Sequence, residues 1–176
     1  MTHGPTRPHE PDPLTDDFRA AMRLLAATVN IITAGEGPAR RGLTATAVCS
    51  MSVTPPSMLV CVNRGGAAHR AISDTGSFCV NILADHQREV AQRFAGQTGD
   101  LGEDKFAPHG WTTLATGAPA LDGALVNLDC EIASATETGS HSIFIGEVRA
   151  IRYAPAPSPL LHFNRSFFTL AHTTAL

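Results

Sequence analysis

Residues 42–63 read GLTATAVCSMSVTPPSMLVCVN, and Thr44, Ala45, Thr46, Ala47, Cys49, Ser50 and Ser52 leave the first half short of large side chains. A strand of that kind lets a flat ligand approach the backbone, whose amides and neighbouring hydroxyls then bond the ligand's polar edge. Pro55 and Pro56 fix φ and stiffen the turn that follows. An ordinary edge strand with a Pro-Pro turn has the same composition, so the segment alone leaves both readings open. Just beyond it, Gly65-Gly66-Ala67-Ala68-His69 is a glycine-rich turn opening a short helix, able to hold a phosphate on free N–H groups and the helix dipole. Arg64, His69 and Arg70 either add positive charge there or face solvent. His141 falls in a predicted hairpin, where a lone histidine is usually only an exposed residue.

More compact chemical signatures are missing. The chain has no GxGxxG after a strand, no P-loop, no HExxH and no GxSxG. The four cysteines, Cys49, Cys61, Cys79 and Cys130, form no CxxC pair and have no clustered histidines, so no metal site is expected. They read as small buried core residues in a reducing compartment, which points to the cytoplasm. Thirteen basic against sixteen acidic residues give a net charge of −3, no electrostatic basis for nucleic acid or an anionic membrane as partner. No apolar run reaches the length of a membrane span. The first 13 residues, polar and proline-rich, lack the apolar core of a signal peptide and read as a flexible lead-in.

The elements that must position these residues follow from periodicity. Residues 14–27 predict a helix, with Thr15 or Asp16 as cap and Phe18, Met22 and Leu25 on one face. Strands are expected at 28–33, 42–52, 57–62 and 77–83, and helices at 67–74 and 85–94. Residues 96–110 form a long Gly/Asp loop, of a length that is often functional. Two long strands, 124–135 and 143–152, meet near Thr138-Gly139-Ser140 as a hairpin, and a last strand covers 160–163. Strands that do not alternate with helices argue against a doubly wound sheet and for a closed antiparallel barrel with helices outside. Residues 14–170 make one domain, followed by a tail at 171–176.

In order along the chain, several segments resemble the flavin reductase-like family. They are Gly42-Leu43-Thr44-Ala45-Thr46-Ala47, Ser52-Val53-Thr54-Pro55-Pro56, Cys61-Val62-Asn63, Gly76-Ser77-Phe78-Cys79-Val80-Asn81-Ile82-Leu83 and Gln87 with Arg93-Phe94. Asp104-Lys105-Phe106, Gly139-Ser140-His141 before Ile143-Phe144-Ile145-Gly146-Glu147-Val148, and Pro159-Leu160-Leu161-His162-Phe163 complete the pattern. Three positions depart from it: Ser140 replaces an acidic residue, Thr46-Ala47 replaces a Ser-Ser pair, and the phosphate-side turn lacks its usual serine.

The resemblance implies an antiparallel Greek-key split β-barrel, paired as a homodimer, that binds FMN or FAD and reduces it with NADH or NADPH. Reduced flavin would then diffuse to a separate oxygenase. It sets the flavin against Thr44, Thr46, Ala47, Val48, Ser52, Val53, Thr54, Cys61, Val62, Asn63, Ala67, Ala68 and His69. It sets the nicotinamide against His141, His162, Phe163, Asn164 and Arg165, with His141 as the catalytic residue. A non-enzymatic flavin- or heme-binding barrel and a pyridoxamine-phosphate oxidase-like enzyme are the competing functions; the second requires a basic cluster, and the arginines here are scattered. Asn81, inside a strand, reads as structural, and Phe94 as packing.

Overall fold

A glycine at φ 54°, Gly139, lets two 13-residue strands fold back on each other, and this hairpin is the spine of the protein. The computed structural model describes residues 13–155 and 158–170. The predicted lead-in and the 171–176 tail fall almost wholly outside those residues. In chain order the elements are α1 (Pro13–Met22), β1 (Ala27–Thr28), β2 (Asn30–Ala34), β3 (Arg41–Ala45), β4 (Val48–Val53) and β5 (Pro56–Asn63). Then come α2 (Ala67–Thr75), β6 (Ser77–Ile82), α3 (Arg88–Phe94), β7 (Trp111–Thr113), β8 (Pro119–Leu121), β9 (Val126–Thr138), β10 (His141–Tyr153), β11 (Leu161–Phe163) and β12 (Ser166–Phe168).

The fold is mostly β. Among the described residues one antiparallel sheet orders seven strands as β3-β2-β6-β9-β10-β5-β4, with small sheets β1-β11-β12 and β7-β8 beside it. The expected closed barrel is not formed: β3 and β4, joined by Thr46-Ala47 alone, are the two unpaired edges of the ladder. The single strand expected over 42–52 is therefore two strands, one at each end of the sheet. The first helix is shorter than expected, and Thr15 and Asp16 lie inside its first turn rather than capping it.

β2 is buried on both faces. Ile31 packs with Val90, Ala91 and Phe94 of α3, while Ile32 packs with Ile72 of α2. A polar knot locks this centre. Asn81, fully buried, donates to the Ile31 carbonyl (2.9 Å) and accepts from the Leu121 N–H (2.8 Å) and the Asn127 amide (2.7 Å). The structural role expected for Asn81 is what its bonds describe. Gly146 leaves room for Phe78, whose Cζ would lie 2.6 Å from any added Cβ.

The cysteines divide. Burial pushes the Cys130 thiol up to about 12, with the Asp129 carboxylate adding to it, and the same two causes raise Cys79 well above its ordinary value. Cys49, expected in the core, is exposed on edge strand β4, and Cys61 is half-buried.

Candidate functional site

Edge strand β3 and the link after it carry the small residues singled out in the sequence, and they form one rim. Arg41, Gly42 and Leu43 line a cleft of about 290 Å³; its other walls include Val62, Asn63 and Ala67 to His69. Thr44, Ala45 and Thr46 line a trough of about 210 Å³ whose far wall holds Ala91, His162 and Phe167. Thr46, Ala47 and His162 also line a larger cavity of about 510 Å³ under α1, with Phe18, Arg19, Met22 and Arg23. Residues 41–47 thus run from a phosphate-sized turn at one end to His162 at the other.

Local chemistry explains how this rim holds its shape. Gly42 is required because a Cβ there would lie 2.7 Å from the Phe94 ring. The Thr44 hydroxyl donates to the Ala91 carbonyl at 2.7 Å, tying β3 to α3, so it is a brace as well as a lining group. The Val48 N–H reaches the Thr46 carbonyl and the Cys61 N–H the Ala47 carbonyl, which fixes the link against β5. Half-buried Cys61, buried Val62 and exposed Asn63 run along β5 to the cleft. The Asn63 Oδ1 accepts the Gly65 N–H at 2.8 Å and turns the chain into α2. Gly66 caps that helix without a side-chain bond, leaving the first-turn N–H groups of Ala67 and Ala68 facing the cleft end of the helix.

His69 is not a free surface charge. Its Nε2 is 2.8 Å from the Ser142 hydroxyl and its ring packs 5.2 Å from Phe144. Arg64 is exposed, and its guanidinium pairs with Glu137 at 2.7 Å, so it adds little net charge to the turn. His141 stands directly across the ladder from Asn63, with its Nδ1 2.9 Å from the Ser140 hydroxyl. The residue that replaces the expected acid therefore still meets the imidazole.

One group falls away from the rim, and another is exposed beside it. Ser52, Val53 and Thr54 form the β4–β5 turn, where the Ser52 hydroxyl accepts the Thr54 N–H at 3.0 Å. Ser52 pairs with Ser57, six residues from Asn63, so this turn lies about 20 Å along the strand from the cleft. Phe163, Asn164 and Arg165 are exposed in the β11–β12 hairpin next to His162. Asn164 and Arg165 both take left-handed φ, 46° and 65°, and the Asn164 N–H is held by the Arg23 carbonyl at 2.7 Å.

Sequence reasoning did not single out Arg41 or the α1 side chains as lining groups. Nor did it give Lys105 a role, although the Asp104-Lys105-Phe106 motif and the long loop around it were visible. In that loop Phe106 is fully buried and packs on Phe94, Trp111 and Arg40, and the Thr98 hydroxyl, ahead of Arg93, holds the Asp100 carboxyl below its usual range.

The chain falls in a known class. The family model described as a flavin reductase like domain matches residues 22–171, and the chain belongs to the flavin reductase-like family. The chain is 42% identical over 158 residues to a protein of Stutzerimonas stutzeri named FMN reductase (NADH) RutF, covering 90% of each chain. It is 40% identical over 159 residues to the 4-hydroxyphenylacetate 3-monooxygenase reductase component of Pseudomonas aeruginosa, covering 90% of this chain and 94% of that one. Among solved structures it resembles the Streptomyces globisporus NADH:FAD oxidoreductase SgcE6 in complex with NAD and FAD fragments. There the TM-score is 0.81 at 31% identity, covering 91% of this chain and 95% of that one.

Proposed function

We propose that this chain is an NAD(P)H:flavin oxidoreductase that uses NADH to reduce FMN or FAD and supplies the reduced flavin, by diffusion, to a separate oxygenase. The observation that carries this reading is the continuous rim of residues 41–47, which joins a cleft at an uncapped helix N-terminus to a trough under His162. The names of the relatives support it: FMN reductase (NADH), and the reductase component of a monooxygenase.

The residues fit a flavin. Thr46 and Ala47 keep the rim low enough for a ring system to reach the backbone, and the first turn of α2 offers N–H groups to a phosphate. A bound flavin accepts hydride from the nicotinamide ring, chemistry that is intrinsic to the two cofactors. The chain's part is to bind and align. β3 and the 46–47 link set the plane for one ring, while His162 faces both cavities beside the link and is placed to border the second ring. His141, oriented by Ser140, stands at the Asn63 end as the candidate catalytic residue, to bond the nicotinamide or the reduced flavin. Val48 and Cys61 hold the link in place, and the 163–165 hairpin, with Arg165 at its tip, borders the nicotinamide side. No proton-transfer pair is needed, which accords with a sequence that shows no acid–base constellation.

Residues 14–170 form one functional domain in this reading, a Greek-key split β-barrel whose split lies between β3 and β4. It pairs as a homodimer, supported by the exposure of Phe18, Met22, Leu24, Leu25, Met51 and Val53. It works in the cytoplasm, in keeping with four free cysteines, and among the described residues no helix is long and apolar enough to cross a membrane. The test is steady-state consumption of NADH and NADPH with FMN or FAD added. Consumption that requires added flavin supports the reading; no consumption in any of the four combinations refutes it.

A further inference from the structure

The trough beside the 46–47 link takes its two walls from two different sheets. One wall is the end of β3, with Thr44 and Ala45; the other is the β11–β12 hairpin, with His162 and Phe167, whose rings meet at 5.8 Å. β3 belongs to the seven-stranded sheet, and β11 to the small sheet of β1, β11 and β12. Between β1 and β2 the chain crosses from the small sheet to the large one at Val29 alone. The Val29 N–H donates to the Leu160 carbonyl (2.9 Å), and its carbonyl accepts the Leu83 N–H (3.0 Å). On one side of this corner Ala27 stands opposite His162; on the other Asn30 stands opposite Ala45.

Asn30 clamps that corner. The residue is buried, and its Nδ2 group donates to the Thr28 carbonyl (3.1 Å) on one side and to the Ala45 carbonyl (3.3 Å) on the other, with the Thr28 hydroxyl at 3.4 Å. Three oxygens around Nδ2 leave the amide one orientation, because a flipped amide would set oxygen against oxygen. The Oδ1 is enclosed as well and meets no donor among the described residues. Asn81, by contrast, bonds through both ends of its amide and knits the centre of the sheet. The bonding of Asn30 is all directed at the two segments that flank the corner. Ala45 is the last residue before the link that shapes the rim, and Thr28 follows the residue paired with His162. Tying their carbonyls to one rigid amide fixes how far the His162 wall stands from the rim.

We infer that Asn30 is a positioning residue for hydride transfer, one that touches neither ring and sets the spacing between the flavin rim and the nicotinamide wall. The inference rests on the flavin-reductase reading. The test compares the full-length protein with Asn30→Leu, which keeps side-chain size and removes the donor bonds, in anaerobic single turnovers at saturating flavin and NADH. Displacing reacting groups by about 1 Å costs up to about a hundredfold in rate, so hydride transfer is expected to slow by at least about tenfold. The dissociation constants of flavin and NADH should stay unchanged. With NADH deuterated at the transferred position the slowed reaction should show a full primary isotope effect, which places the loss in the hydride step itself. Asn30→Ser keeps a hydroxyl that reaches one carbonyl at most; its rate should fall between the two, and it carries the same test if Asn30→Leu does not fold. Thermal unfolding checks that each variant is folded. An unchanged rate in a folded variant, or a loss that disappears at saturating ligand because only affinity has fallen, overturns the inference and leaves the reductase reading standing. Failure of both variants to fold makes Asn30 a stability residue and overturns it too. No hydride transfer in the unmodified protein overturns both the inference and the reading beneath it.

Discussion

Replacing Asn81 with leucine keeps side-chain size and removes the hydrogen bonds that join β2, β6, β8 and β9. The Nδ2 group donates to the Ile31 carbonyl (2.9 Å) and the Thr33 hydroxyl (3.1 Å); the Oδ1 accepts from the Leu121 N–H (2.8 Å) and the Asn127 amide (2.7 Å). Each such bond is worth about 1 kcal/mol net, and the partners left behind are buried. The expected loss is therefore about 4 kcal/mol, which for a chain of this size lowers Tm by roughly 12 °C. Urea unfolding followed by Trp111 fluorescence measures the first figure and calorimetry the second. Flavin affinity of the folded fraction should be unchanged, because Asn81 is fully enclosed. A loss below about 1 kcal/mol refutes the reasoning about the knot, and lost flavin affinity in a protein of normal stability assigns Asn81 to the ligand instead.

Gly146→Ala forces a Cβ to 2.6 Å from Phe78 and 2.8 Å from Cys130, so it should cost about 2 kcal/mol in denaturant unfolding. Arg165→Gly relieves a left-handed φ of 65° and should raise stability by about 0.5 kcal/mol, while a higher KM for NADH would assign the lost guanidinium to the nucleotide. Alkaline stability follows from the core thiols. Burial pushes the Cys130 thiol up to about 12 in the folded protein against 9.0 when unfolded, so its contribution is complete below pH 9.0 and is lost as pH rises toward 12; Cys79 is shifted in the same direction. The Cys130 thiol should lower the unfolding free energy by about 1.4 kcal/mol per pH unit in that window, and Cys130→Ala should make the slope shallower. A slope that is unchanged in that variant contradicts the assignment.

Periodicity made the larger elements legible. The hairpin of β9 and β10, the helix after Gly66 and the strand at 77–82 stand where their patterns put them, because each is long or flanked by glycine. β7, β8 and β12 are three residues each, too short to show alternation. The break at Thr46-Ala47 carries no Gly or Pro signal, and it exists because the chain leaves one edge of the sheet and joins the other. That same break hides the distance between the rim and the 52–54 turn, which neighbour it in sequence. Lys105 was visible as part of a motif, but its place at the cleft depends on the burial of Phe106 and on α3 folding back beneath Gly42. His162 could be tied to the rim by resemblance alone, since its neighbour Thr46 lies 116 residues earlier.

The central claim is that the rim brings a flavin and a nicotinamide together for hydride transfer. The most direct measurement is an anaerobic single turnover, in which the protein is mixed with one equivalent of oxidised flavin and then with NADH, and the visible flavin absorbance is followed. The account predicts complete bleaching matched by an equal loss of NADH, at a rate far above that of the same mixture without protein. An unchanged rate, with flavin demonstrably bound, would contradict it.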